Sequence, residues 1–398
     1  MAANINANTL TQLQIVKYSR KLLEFMVPQL LLAQFAQKPE MLGEGEGSTC
    51  IFSRFIPIST GTAITAVTHD SGASTASKKT AIQQITVTPA LYADSETFDL
   101  FDNRTAFLNY IKGASKEYGT WYAKQLNYAL TKVVSVGALH VRADWDTTYQ
   151  ATGVADASST TILTLDAEEA STTSLWVGGY ITYLTGQNKG MTRKVSASTQ
   201  STSIAHAAFP HAPVAGDRYF VCVGTGLTAG DSVTKEVVKK AVAYLEQLDA
   251  PKVGSHYIGY IDSRGKYDFL EDMVSVAQYT TLGIEKVFKN EIGEAYGVRW
   301  VRAWELYRED ANSTENRTTG AVHNILILGS DSFGEMDVAA GPNKPEINVA
   351  LPGPQTTADV NKLQGALGIK CAHAPIMLNA CSCISILSVP SDTVNLLG

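Results

Sequence analysis

The clearest periodicity lies between Asn103 and Val136. Phe107, Ile111, Ala114, Tyr118, Trp121, Leu126, Leu130 and Val133 recur there at helical spacing. The pattern predicts one helix, capped by Asp102 or Asn103 and ended by Gly137. At 1.5 Å per residue it would be roughly 50 Å long. Gly113 and Gly119 inside it each cost about 1 kcal/mol relative to Ala. A helix well beyond the usual ~11 residues reads as a spine.

Ahead of the spine the pattern is weaker. The first ten residues are small and polar and read as a flexible arm. A helix is expected from Gln12 to Met26, broken at Pro28. The apolar run Leu30, Leu31, Leu32 and Phe35 needs a partner, because the arm has little core of its own. Gly43 to Gly47 is a hinge-like loop; its two glutamates argue against a phosphate cradle. Thr49 to Ile58 reads as a strand with Pro57 closing it, and Ala81 to Val87 as a second strand. The polar stretch between them makes an extended hairpin. An isolated two-stranded hairpin is marginal in water, so this one should lie on another domain or subunit.

Beyond the spine, residues 142–226 are rich in Ser and Thr and poor in charge. Short apolar runs such as Ile162–Leu165, Trp176-Val177 and Tyr180–Tyr183 alternate with Gly178-Gly179, Gly186 and Gly190. That predicts a small all-β insertion. An α/β region follows. Asp231 or Ser232 would cap a helix to Leu248, His256 to Ile261 a strand, Ser263 to Asp272 a short helix. Val298 to Ala303 and Asn324 to Leu328 read as strands, the proline-rich 338–360 as loop, and Ile369 to Leu387 as strand.

Composition narrows the function. Of 398 residues 18% are charged, below the roughly 25% of a typical soluble domain. A protein that hides much of its surface in an assembly needs fewer solvated charges. The net charge of −6 argues against a basic nucleic-acid binder. Cys50, Cys222, Cys371, Cys381 and Cys383 form no CxxC pair and read as reduced, buried small hydrophobes, which suits synthesis in the cytoplasm. No stretch reaches the ~20 apolar residues needed to span a bilayer.

Candidate chemistry is sparse. Gly224-Thr225-Gly226-Leu227-Thr228-Ala229 fits GxGxxA between an expected strand and an expected helix, the context of a dinucleotide loop. The helix starts late for its N-terminus to meet a pyrophosphate, and a Gly-rich linker explains the same residues. His206 and His211 lack a third ligand for zinc and read as surface loop. His69-Asp70-Ser71 holds triad residue types, but adjacent residues rarely form a triad. Glu291 and Glu294, flanked by Gly293 and Gly297, read as a turn between strands rather than paired catalytic carboxylates. No catalytic, cofactor-binding or metal site is expected.

The order of parts is informative: arm, long hairpin, spine helix, α/β region and a closing strand. Gly45-Glu46-Gly47-Ser48-Thr49-Cys50-Ile51-Phe52 leads into the first strand, and Arg104-Thr105-Ala106-Phe107 opens the spine. His256–Asp262 is followed by Tyr267-Asp268-Phe269, and Asn290–Trp300 contains Glu291-Ile292-Gly293 and Gly297-Val298-Arg299. These segments resemble the HK97-like major capsid proteins of tailed phages, in particular the family of the phage N4 major capsid protein. The resemblance covers about 1–141 and 227–398; residues 142–226 depart from it and resemble a small β-module of phage virion proteins.

The resemblance implies an α+β, HK97-like capsid fold. Its parts would be an N-terminal arm (1–47), an extended hairpin or E-loop (48–90), a peripheral domain with the spine helix (91–141), a β-rich insertion (142–226), an axial-type α/β domain (227–364) and closing strands of the peripheral domain (365–398). It implies a structural protein without enzymatic activity, self-assembling into hexamers and pentamers of an icosahedral head around double-stranded DNA. DNA would be contacted non-specifically. Scaffold, portal and decoration proteins are the further partners, no membrane is involved, and the location is the virion after assembly in the host cytoplasm. Leu31, Arg54, Phe55, Lys78 and Lys79 are the expected subunit contacts. The covalent cross-linking of one branch of the family is not carried over, because no partner Asn or catalytic Glu can be matched. Two alternatives stay open: an encapsulin-like compartment, and an NAD(P)-dependent enzyme using the loop Gly224 to Ala229.

Overall fold

Both strands of the expected hairpin form. In a computed structural model, β1 (Cys50–Ile56) pairs with β2 (Ala81–Val87) as a two-stranded sheet. The structure describes residues 32–38, 50–56, 81–99, 110–156, 159–164, 175–199, 203–277, 293–303, 306–310, 314–315, 321–335, 346–350 and 364–391. The chain divides into two units: Met1–Cys50, Val87–Leu130 and Glu335–Ile376 form one, and Ile51–Thr86, Thr131–Gly334 and Met377–Gly398 the other.

After β2 come β3 (Ala90–Asp99), the long helix α1 (Tyr110–Gly137) and β4 (Leu139–Arg142). The expected helix start at Asn103 lies outside the described residues. The buried stripe of α1 includes Leu126 and Leu130 as expected, but Tyr122 and Val134 in place of Trp121 and Val133. Trp121 is 44% exposed and stacks on Tyr118, with ring centroids 5.7 Å apart. A helical period fits both stripes; packing selects between them.

The β-rich segment holds β5 (Gln150–Val154), β6 (Ile162–Thr164), β7 (Tyr180–Tyr183), β8 (Thr192–Thr199), β9 (Ser203–His206) and β10 (Arg218–Cys222). They form one antiparallel six-stranded sheet in the order β5-β10-β7-β8-β9-β6. Leu163, Trp176, Ile181, Tyr183, Ile204, Phe209, Tyr219 and Val221 make its own core, so the segment folds around itself.

Next follow α2 (Lys235–Gln247), β11 (Tyr257–Ile261) and α3 (Ser263–Ala277). The cap of α2 is Thr234, whose hydroxyl accepts from Val237 N–H, and not Asp231 or Ser232. Asp231 instead accepts from the N–H and hydroxyl of Thr228 and closes a turn. Then come β12 (Glu294–Ala295), β13 (Val298–Arg302), β14 (Arg308–Glu309), β15 (Val322–Leu328) and β16 (Phe333–Gly334). The last strands are β17 (Glu346–Ala350), β18 (Gln364–His373), β19 (Ile376–Met377) and β20 (Cys383–Ser388).

In the first unit β18 lies between β17 and β3, antiparallel to both. Strand β17 falls in a stretch expected to be loop, and β3 was not expected. Tyr122 of α1 donates to the Tyr92 carbonyl at 3.0 Å and lies 3.2 Å from Cys371 Sγ, which seats the helix on this sheet. Leu32, in a short 3-10 turn over Leu32–Phe35, is fully buried, so part of the apolar run of the arm does find a core.

In the second unit a larger sheet runs β12-β13-β11-β15-β20-β4, with β14 also on β15. Strands β11, β15, β20 and β4 are buried at every position. Strands buried at every position belong to a sheet covered on both faces. The closing strand β20 lies parallel to β4, directly after the spine helix.

Candidate subunit-contact surface

Alternation along the hairpin strands sorts their side chains onto two faces. In β1, Phe52 is buried and Arg54 half-buried, while Ile51 and Ser53 are exposed. In β2, Gln83 and Ile85 are half-buried, while Ile82, Gln84 and Thr86 are exposed. The inner face is fastened hard. Arg54 donates through Nε to Gln83 Oε1 at 2.9 Å, through Nη1 to the Leu378 carbonyl at 2.6 Å and through Nη2 to the Lys189 carbonyl at 2.9 Å. Burial lowers its pKa, but a guanidinium stays charged in a protein, so these bonds keep their charge assistance.

The niche beside Arg54 needs a glycine. Gly190 has φ +75, and a Cβ there would sit 2.1 Å from Asn379 Oδ1. The missing side chain lets Ala380 N–H reach the Gly190 carbonyl at 2.8 Å. Asn379 also accepts from Cys381 N–H, ordering the turn before β20. Phe52 packs against Gly334, where a Cβ would lie 2.4 Å from its ring.

The outer face has no such fastening among the described residues. Ile82 is 60% exposed and Ile51 44%. In the first unit, described by itself, Leu91 is 70% exposed, with Tyr92 and Trp121 also exposed. Contiguous exposed apolar patches mark contact surfaces, whereas single exposed apolar residues are ordinary.

Of the expected contact residues, Arg54 is therefore engaged within its own chain. Phe55 lies in β1. Leu31, Lys78 and Lys79 lie outside the described residues, as do His69, Asp70, Ser71 and Glu291. Sequence reasoning missed Ile51, Ile82 and Trp121. Neither the composition of β1 and β2 nor the helical period marked them, because which face is covered is set by distant partners.

The glycine loop 224–229 does not sit in a βαβ unit. Its preceding strand β10 belongs to the antiparallel six-stranded sheet, and α2 begins only at Lys235. The loop carbonyls are taken by Arg142, whose Nη1 donates to the carbonyls of Val223 at 2.8 Å and Thr225 at 2.6 Å. Its other nitrogens grip Asp144 bidentately, Nε to Oδ1 at 2.9 Å and Nη2 to Oδ2 at 2.6 Å, and Tyr149 covers the guanidinium. The loop is the clasp by which the six-stranded sheet is tied to β4.

His206 is not on a surface loop: it is buried in β9, edge-on to Phe209, whereas His211 is exposed. Burial lowers the pKa of His206, with Arg193 adding to the effect. The cysteines are free; four are buried, and Cys50 is half-buried, more open than expected. Glu294 does lie next to a turn. Tyr296 and Gly297 have φ of +53 and +76, the left-handed pair of a two-residue hairpin loop joining β12 to β13. No group of three or more His, Cys, Asp or Glu suited to a metal occurs among the described residues. No described helix is long and apolar enough to cross a membrane.

No family model matches the chain. No curated protein matches it. Solved structures similar to it include the capsid of Ralstonia phage GP4, 9% identical over 87% of this chain and 84% of that chain, with a TM-score of 0.49. The capsid of cyanophage P-SCSP1u is 9% identical over 89% and 90%, with a TM-score of 0.48. A chain of the cyanophage Pam1 capsid is 10% identical over 87% and 86%, also at 0.48. Likeness at this level carries no argument about function.

Proposed function

We propose that this chain is a structural shell subunit, the HK97-like major capsid protein of a tailed phage, related in sequence to the phage N4 major capsid protein family. It assembles through hexamers and pentamers into an icosahedral head around double-stranded DNA, and it performs no catalysis. The order of parts and the local sequence resemblances support this reading. The observation that carries it is the hairpin sheet, fastened by Phe52 and Arg54 on one face and bare at Ile51 and Ile82 on the other. A two-stranded sheet with an uncovered apolar face gains stability when a second subunit covers it. Many such small contacts, repeated by closed symmetry, add to a stable shell. Scaffold, portal and decoration proteins are its further partners, and the virion, assembled in the host cytoplasm, its location.

The test is expression of the chain, alone and with its neighbouring genes, and negative-stain electron microscopy of the product. Closed shells, tubes or capsomer rings are expected. Nucleic acid inside mature particles favours the phage head; protein cargo would point to an encapsulin-like compartment. A uniformly monomeric or dimeric product, even with a scaffold supplied, overturns the reading.

A further inference from the structure

Strand β5 is one edge of the six-stranded sheet. It pairs with β10 in unbroken antiparallel register, from Gln150 opposite Cys222 to Val154 opposite Arg218. At the two ends of this ladder Val223 N–H donates to the Tyr149 carbonyl at 3.0 Å, and Ala155 N–H to the Asp217 carbonyl at 2.7 Å. Successive residues of a strand bond to opposite sides, so Thr152 and Val154 turn their N–H and C=O groups away from β10. Among the described residues nothing bonds to those groups, and both residues are exposed. Sheets blunt such an edge with lysine, proline or a very short strand. The opposite edge, β6, is three residues long. Strand β5 is longer, Gln-Ala-Thr-Gly-Val, with neither charge nor proline. The longer undescribed stretches of this segment, 165–174 and 200–202, adjoin β6, β8 and β9 in sequence, not β5.

A cleft of about 510 Å³ opens beside this edge, within the second unit. Its walls include Thr152 and Val154, Phe220 of β10, and Tyr244 and Leu248 at the C-terminal end of α2. Phe220 pairs opposite Thr152, and opposed residues share a face of the sheet. Tyr244 is braced by Trp145, with ring centroids 5.4 Å apart. A strand added to β5 would continue the face of Thr152 and Phe220 and aim every second side chain into the cleft. Only another extended backbone matches N–H and C=O groups set out at strand spacing. We propose that β5 and this cleft are a docking site for an extended peptide segment of another protein, which joins the sheet as a seventh strand. Main-chain bonds to Thr152 and Val154 supply affinity, and apolar side chains at alternate positions of the peptide fill the cleft. A second copy of β5 fits less well. Pairing about a two-fold axis perpendicular to the sheet brings the α2 ends of both copies to the same side of the joined sheet, whereas a lone peptide brings none. The inference does not rest on the shell reading and is tested on the unassembled chain.

The test titrates the full chain with fluorescein-labelled nine-residue peptides, read by fluorescence anisotropy. The peptides carry valine, leucine or tyrosine at alternate positions, threonine or glutamine between them, and lysine at both ends. Saturable binding is expected. Two further sets are methylated at alternate backbone nitrogens, one set for each edge of the peptide strand. Methylation removes the donors and keeps every side chain, so the set that faces β5 should bind about tenfold more weakly and the other set as before. Thr152→Pro removes an outward donor of β5 without costing a bond to β10, a place where a sheet edge tolerates proline, and should also weaken binding about tenfold. Equal affinity for the two methylated sets, or no binding at about 1 mM peptide, overturns the proposal. A sedimentation mass that falls to half on Thr152→Pro, with no peptide present, assigns the edge to a second copy and overturns it as well. Thr152→Pro that forms particles like wild type yet has lost peptide binding supports the site and leaves the shell reading untouched.

Discussion

Arg142 shows how one residue can decide the placement of a whole sheet. Its side chain is fully buried, yet its nitrogens are matched by four acceptors: both oxygens of Asp144 and the carbonyls of Val223 and Thr225. Removing one partner of a buried ion pair costs about 3–5 kcal/mol. Asp144 keeps some contact with water, its side chain being 18% exposed, which puts Arg142→Met at the lower end of that range. Arg142→Lys should recover little of the loss, because a single ammonium cannot span two carboxylate oxygens and two carbonyls. Urea unfolding followed by circular dichroism measures both. A lysine variant within 0.5 kcal/mol of wild type would mean that the charge alone, and not the fork, holds the clasp.

At the scale of the element, the hairpin is a strip with one fastened and one bare face. The two faces predict opposite phenotypes. Ile82→Asp places a charge where the side chain is already largely in solvent, so the isolated subunit should unfold within about 0.5 kcal/mol of wild type. The same variant should fail to form shells under conditions where wild type does, read by sedimentation of the assembled product. Shells in normal yield would show that this face is not covered by a neighbour. Short elements of this kind were legible in the sequence, after the spine helix. Strands β1 and β2 are short runs rich in β-branched and aromatic residues, and the many short strands of 150–222 are punctuated by glycine. What stayed hidden depends on distant partners. Strand β3 carries Asp94, Ser95 and Glu96 and becomes a strand by pairing with β18, Asp94 opposite Ile369 and Ala93 opposite Lys370. Strand β17 follows proline-rich sequence and exists as the other neighbour of β18. The stripe of α1 was right at Leu126 and Leu130 and one position off at Trp121 and Val133; Tyr122 is set by a hydrogen-bond partner on β3, which no helical period encodes. Of the hairpin, its two strands were legible, but the intrachain bonds of Arg54 were not, since its acceptors Lys189 and Leu378 are far away in sequence.

For the whole molecule, acidity should act as a solvent for the fold, through groups scattered across the second unit. His140 stacks face to face on Tyr180, with ring centroids 3.8 Å apart, and burial pushes its pKa down to about 3. The unfolded chain, with an ordinary histidine near 6.5, binds that proton first. Stability is therefore unaffected by this residue above about pH 6.5 and falls continuously as the pH drops from there towards 3. His206, also lowered by burial, acts in the same direction below pH 6.5. Asp262 adds a later window. Burial alone would raise its pKa, but the hydrogen bond and charge of His323, the Gly265 N–H and Arg308 outweigh it and hold the carboxylate below its ordinary value. Its contribution is present above pH ~3.8 and disappears as the pH falls below that. Each histidine kept neutral while the unfolded state is protonated adds a slope of about 1.4 kcal/mol per pH unit. Unfolding midpoints of the unassembled subunit, measured from pH 8 to pH 4.5, should be level down to about 6.5 and then decline. His140→Phe keeps an aromatic ring on Tyr180 and has no proton to gain, so its decline should be shallower than that of wild type. Parallel curves for the two proteins would show that His140 does not control acid stability.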